Sequence, residues 1–303
     1  MKKRIIRDTT NFIAIGYGDI IEIEGKHYII KGEESERRFG MDDPKHWVKR
    51  AVDSQTGEKK ILKLSYFESF DTYLSGVKIK RFRNPDKEGA VLKLAKNHPH
   101  LMQGVACHDI EGNNVRILDI VSGQDLYVYI DSLSIDHASY FRNLLPGILK
   151  RLVKAFEAIR FLHVNGFKHG DIRNDHLIIE RDTGKYVWID FDYDYEIEEN
   201  PFGLDIFGLG KILVYVVGKG THMYYDIKRD TSFYGDLVDR IETEDFSILD
   251  KGRLINLRKL YPYVPVMLNN ILMHFSRGAS VYYEFVEELI EDLNRCLYSM
   301  LET

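Results

Sequence analysis

The residues best suited to chemistry gather in HGDIRNDHL, residues 169–177, and in Ile189-Asp190-Phe191-Asp192 a short way downstream. Asp171 follows a His-Gly pair and precedes Arg173. An acid beside a cation stays ionised, which suits either a general base or a metal ligand. Aspartates in turns are common on any surface. The two acids gain meaning only from the elements that bring them together.

Those elements can be read from periodicity. Leu145, Leu149, Leu152, Phe156 and Ile159 recur at spacings of three and four, and Asn165-Gly166 stops that helix. Strands are predicted at Leu177–Glu180 and Lys185–Ile189, joined by Arg181–Gly184, so Asp171 and Asp190 fall on loops at one end of a hairpin. Earlier in the chain, Ile20–Ile23 pairs with Tyr28–Lys31, His46–Asp53 with Lys59–Leu64, and Gly104–Ile110 with Asn114–Ile120. A helix begins at Asn84-Pro85-Asp86 and ends near Asn97 and Pro99. Ile206–Val217 is apolar nearly all round and reads as a helix buried on every side. The C-terminal helix carries Val286, Leu289, Ile290, Leu293 and Leu297 on one face, with Cys296 beside that stripe as a packing residue. Cys107, in a strand, has the same role. The expected fold class is α+β: a small β-rich lobe to about residue 120, then a larger helical lobe.

In the order of these motifs the chain resembles the protein-kinase-like superfamily, from about Tyr28 to the C-terminus. In Lys60-Ile61-Leu62-Lys63, Lys63 takes the place of the phosphate-contacting lysine. Glu88 matches the helix glutamate that orients it, and Leu92 the apolar residue packed against the Phe of the metal motif. Asp119-Ile120-Val121 resembles the hinge that hydrogen-bonds adenine. His169-Gly170-Asp171 matches the catalytic loop in its His-Gly-Asp form, shared with lipopolysaccharide-core and small-molecule kinases, and Asp190-Phe191-Asp192 matches the metal motif. Leu204–Phe207 resembles the start of the central helix, with Asp205 structural, and His169 is architectural.

The resemblance implies a bilobal fold with an N-terminal extension at residues 1–27, a small lobe at 28–121 and a large lobe at 122–303. It implies ATP between Lys63 and the hinge Leu118, Asp119 and Val121, under Val48 and above Ile178. Asp190 and His176 would hold Mg²⁺ or Mn²⁺, and Asp171 would act on the acceptor hydroxyl, with Arg173 and Glu88 completing the catalytic set. The physical logic agrees: a departing γ-phosphoryl carries charge that a lysine and a bound metal must neutralise, near an acid facing the acceptor.

Four departures bear on activity. The stretch Gly32–Trp47 has glycine only at 32 and 40, so a phosphate-covering glycine loop is missing, and Arg37, Arg38 or Lys45 are the basic candidates to replace it. His176 stands where a second metal-binding Asn is usual, although Mg²⁺ prefers oxygen. Asp192 stands where the metal motif usually ends in Gly. Asp205 follows too soon after Asp190 for a full activation segment, and Tyr282 replaces the arginine that would anchor one.

Composition sets the outer bounds. A net charge of −5 argues against a general nucleic-acid clamp, which needs basic excess. With 44% hydrophobic and 29% charged residues, an ordered core is expected rather than disorder. Two cysteines are too few for a disulfide framework or thiolate zinc site, and no apolar run is long enough for a membrane span. The expectation is a cytoplasmic ATP-dependent phosphotransferase, acting on a protein Ser/Thr or a compact small molecule. The alternative is a nucleotide-binding pseudokinase that serves as a regulatory scaffold.

Overall fold

A computed structural model describes residues 4–38, 41–74 and 77–301. In chain order the strands are β1 (Ile5–Ile6), β2 (Ile20–Ile23), β3 (Lys26–Arg38), β4 (Met41–Asp53), β5 (Lys59–Lys63), β6 (Ser69–Leu74) and β7 (Val77–Arg83). After helix α1 (Pro85–Leu94) come β8 (Gly104–His108), β9 (Asn114–Asp119) and β10 (Gly123–Asp125). The remaining strands are β11 (Leu177–Glu180), β12 (Tyr186–Trp188) and β13 (Tyr193–Glu196). The later helices are α2 (Leu126–Asp131), α3 (His137–Asn143), α4 (Leu145–Val164), α5 (Gly203–Gly218), α6 (Tyr224–Arg229), α7 (Thr231–Tyr234), α8 (Leu237–Arg240), α9 (Val266–Met273) and α10 (Val286–Leu301). The fold is α+β, with strands dominating the first third.

Seven strands form one sheet in the order β1-β2-β3-β4-β5-β9-β8. Its register sets Val48 opposite Lys63, Lys63 opposite Arg116, and Ile61 opposite Leu118. Residues 4–23 are part of this sheet: β1 runs parallel to β2, and Ile15, Ile21 and Ile23 share a core with Tyr28, Ile30, Leu62 and Ile117. A second, larger core unites α4, α5, α9 and α10 with Val91 and Leu92 of α1 and with Trp188 and Phe191. Cys296 is buried in it, as its place beside the apolar stripe predicts.

Helix α1 starts where Asn84 accepts a hydrogen bond from the Lys87 amide at 2.9 Å, with Pro85 in the first turn. Its site-facing residue Glu88 therefore sits next to the cap, in the first turn. The hairpin β6–β7 has no counterpart in the sequence expectations. It pairs with β13 to make a three-stranded sheet in the order β13-β7-β6. The first third of the acidic stretch 193–204 is thus a strand. Tyr195 is buried, Asp194 lies 3.5 Å from Lys168, and the ring of Tyr282 packs 5.8 Å from that of Phe207.

Candidate active site

Lys63, at the end of β5, reaches three carboxylates. Its Nζ lies 2.9 Å from Glu88 Oε1, 2.5 Å from Asp190 Oδ1 and 3.3 Å from Asp192 Oδ2. Burial opposes the ammonium charge, but Asp190, Asp192 and Glu88 outweigh it, so the Lys63 pKa lies above the ordinary lysine value. Glu88 is fully buried and shared: its other oxygen accepts from Arg116 Nε at 3.1 Å. Burial would raise the Glu88 carboxyl, yet the two cations hold it below its usual range.

Asp190 has φ +69, a left-handed backbone that a non-glycine residue rarely adopts without a reason. The turn aims its carboxylate at Lys63 and leaves the Phe191 side chain buried against the His169 ring, 5.1 Å away. Despite burial, Lys63, His176 and Lys45 hold Asp190 well below the usual carboxylate range. Asp192 behaves oppositely. Burial, reinforced by Asp190 and Glu88, raises it, although Arg83 Nη1 donates to its Oδ2 at 2.7 Å.

The catalytic-loop candidate is built on Asp205. Its two oxygens accept from the amides of His169 (2.7 Å) and Gly170 (2.9 Å), and His163 closes the cluster at 3.0 Å. Gly170 has φ +89, and a Cβ there would lie 1.8 Å from the Tyr193 carbonyl oxygen, so only glycine fits. Asp171 Oδ1 accepts from Arg81 Nη2 at 3.0 Å, while Oδ2 lies 3.5 Å from His176 Nδ1 and 3.9 Å from Arg173 Nη1. Burial opposes ionisation of Asp171, but His176, Arg173 and Arg81 prevail and lower its pKa.

His176 Nδ1 donates to the Asp171 carbonyl at 2.8 Å, which leaves Nε2 as the free ring nitrogen of the neutral form. That nitrogen faces Asp190 Oδ2 at 3.6 Å. Among the described residues no group of three or more His, Cys, Asp or Glu stands at metal-holding spacing. The imidazole and the carboxylate together offer a cation one nitrogen and one hard oxygen, a donor pair that suits Mn²⁺ as well as Mg²⁺.

These residues border a cleft of about 790 Å³. Its walls include Val48, Ile61, Met102, Leu118, Ile178 and Ile189, an apolar slot. Asp119, Val121, Lys63, Asp190, His176 and Arg173 line it as well, among further charged side chains such as Glu34, Arg50 and Lys60. The sequence-derived set therefore converges on one cavity, except that Glu88 and Asp171 do not line it; Asp171 reaches it only through its neighbours Arg173 and His176. Lys45 lines the same cleft; the side chains of Arg37 and Arg38 lie outside the described residues. Compared with known protein families and with curated proteins, the chain matches none.

Sequence reasoning missed the cations that hold the acids. Arg81 and Arg83 come from β7 and Arg116 from β9, and Lys87 donates from α1 to the carbonyls of His169 (2.9 Å) and Tyr193 (2.5 Å). For Arg116 a signal existed: its strand neighbours Val115, Ile117 and Leu118 are all apolar, which marks a strand buried on both faces and a cation in need of a partner.

Proposed function

We propose that the chain is an ATP- and Mg²⁺-dependent phosphotransferase of protein-kinase-like architecture, its two hydrophobic cores corresponding to small and large lobes. The observation that carries the reading is Lys63, held at once by Glu88 and Asp190 in a cleft of about 790 Å³ that Val48, Leu118 and Ile178 also line. The slot takes the adenine between Val48 and Ile178, with Leu118, Asp119 and Val121 as the hinge. Lys63 stands ready for phosphate oxygens, and Arg173 lines the same cleft. Asp190, with His176, would hold the metal, whose chemistry is to neutralise phosphate charge during transfer. Asp171 receives or orients the acceptor's hydroxyl proton through Oδ2, the oxygen on the side of Arg173 and His176.

The acceptor is a folded protein surface or a compact small molecule. An extended peptide needs free backbone partners on an exposed strand. The carbonyls of Tyr193 and Tyr195 on β13 already accept from Lys87 (2.5 Å) and Lys168 (2.6 Å). Short unstructured peptides are therefore expected to be poor substrates. The scaffold alternative draws on one observation, the collapse of Lys63 onto Asp192 as well as Asp190, which leaves its charge internally satisfied.

The deciding experiment is ADP release from ATP with Mg²⁺ or Mn²⁺, alone and with cell extract, for wild type and Asp171→Asn. Turnover that disappears in the variant supports the enzyme; nucleotide binding without turnover in either protein supports the scaffold.

A further inference from the structure

Asp171 is oriented by a residue from outside the catalytic loop. Strand β7 places Ile79, Arg81 and Arg83 on one face, because alternate residues of a strand point the same way. Ile79 and Arg83 are buried and Arg81 partly so, while Lys78 and Lys80 face out. The pairing with β13 sets this register, with Arg83 opposite Tyr193 and Arg81 opposite Tyr195. One strand face thus carries two arginines, and each grips a different acid: Arg83 takes Asp192 and Arg81 takes Asp171.

The Arg81 contact has a specific geometry. Its Nη2 donates both to Asp171 Oδ1 and to the Gly170 carbonyl, each at 3.0 Å. One nitrogen therefore ties the carboxylate to the backbone of its own loop. The guanidinium is held from behind, 5.2 Å over the Tyr193 ring and 5.8 Å over the Phe70 ring. With Oδ1 taken, Oδ2 is the oxygen left on the side of Arg173 and His176, which border the cleft.

We propose that Arg81 is a positioning residue for transfer: it fixes the Asp171 carboxylate so that Oδ2, and not Oδ1, meets the acceptor hydroxyl. The inference rests on the phosphotransfer reading of the same site. It gives the hairpin Ser69–Arg83 a role beyond packing. The hairpin and β13 form a strap that sets the catalytic loop from within the chain, with no modification required.

The test is steady-state ADP release from Mg-ATP by wild type, Arg81→Ala, Arg81→Lys and, as a control on the opposite face of the same strand, Lys80→Ala. Loss of orientation costs about 10- to 100-fold in turnover. Arg81→Ala is expected to lose that much in kcat with KM for ATP unchanged. Arg81→Lys should recover part of it, added guanidinium should partly rescue Arg81→Ala, and Lys80→Ala should match wild type. If Arg81→Ala turns over like an active wild type, the inference is overturned and the phosphotransfer reading stands. A loss that spreads equally to ATP affinity, with no recovery by lysine or guanidinium, assigns Arg81 to the fold and also overturns it. Absence of turnover in the wild type overturns the phosphotransfer reading, and the role of Arg81 with it.

Discussion

The acids on the two sides of the cleft are held in different ways. On the Lys63 side, Glu88 is fully buried and bound by Lys63 and Arg116, and Asp190 closes onto the same lysine. On the Asp171 side, the partners are the partly exposed Arg81 and Arg173, and Arg173 is shared with the half-exposed Asp175 at 2.6 Å. The first arrangement is a closed charge network that cannot lose a member cheaply. The second rests on cations that solvent still reaches, so its geometry is less tightly fixed. The contrast teaches that two neighbouring acids are held by different means, Asp190 by a buried lysine and Asp171 by arginines that solvent still reaches.

Removing a member tests the contrast most severely. Glu88→Ala leaves Lys63 and Arg116 buried without their shared anion, a change expected to cost about 3–5 kcal/mol. Asp175→Ala, at the solvent edge of the other side, should cost within about 1 kcal/mol. Urea unfolding of the two variants measures both, and equal losses would erase the distinction.

Acid gives the next largest effect. Burial holds His169 neutral, its pKa pulled down to about 4 from the ordinary 6.5. The unfolded chain then binds more protons than the folded one between those values, so stability is complete above pH 6.5 and falls as pH drops toward 4. At 1.36 kcal/mol per unit the His169 share is about 3 kcal/mol. His137, also lowered to about 4 by burial, adds to the same window. Melting temperature against pH should decline there, and less steeply in His169→Gln.

Gly170→Ala probes where the two sides meet. With φ +89 and no room for a Cβ against Tyr193, the substitution should cost more than about 1 kcal/mol and displace Asp171. A melting curve like wild type would mean that β13 is not seated on the loop. His176→Asn is the mildest change: it supplies the oxygen Mg²⁺ prefers, so turnover with Mg²⁺ should be equal or higher. A collapse would give the imbalance between the two sides a second cause, a role for the ring itself.

How much of this was legible in the sequence also divides along the cleft. Lys63, Glu88, Asp171 and Asp190 all stand in local motifs; Lys63 is in direct contact with Glu88 and Asp190, and Asp171 stands beyond them, across His176 from Asp190. Strand β7 is not legible in the sequence. Its residues, VKIKRFR, put cations on both faces, so alternation does not reveal which face turns inward, and its partner β13 lies more than a hundred residues away. Arg81 and Arg83 are therefore invisible until the pairing is known. The same long-range pairing makes Tyr193–Glu196 a strand, which burial of Tyr193 and Tyr195 stabilises.

The most direct test of the division of labour is a crossed comparison: Mg-ATP affinity by calorimetry and ADP release, measured together for wild type, Asp190→Ala and Asp171→Asn. Asp190→Ala should lose metal-supported nucleotide binding. Asp171→Asn should bind like wild type and lose about 10²- to 10⁴-fold in turnover. Unchanged Mg-ATP affinity in Asp190→Ala, or turnover near wild type in Asp171→Asn, would contradict the account.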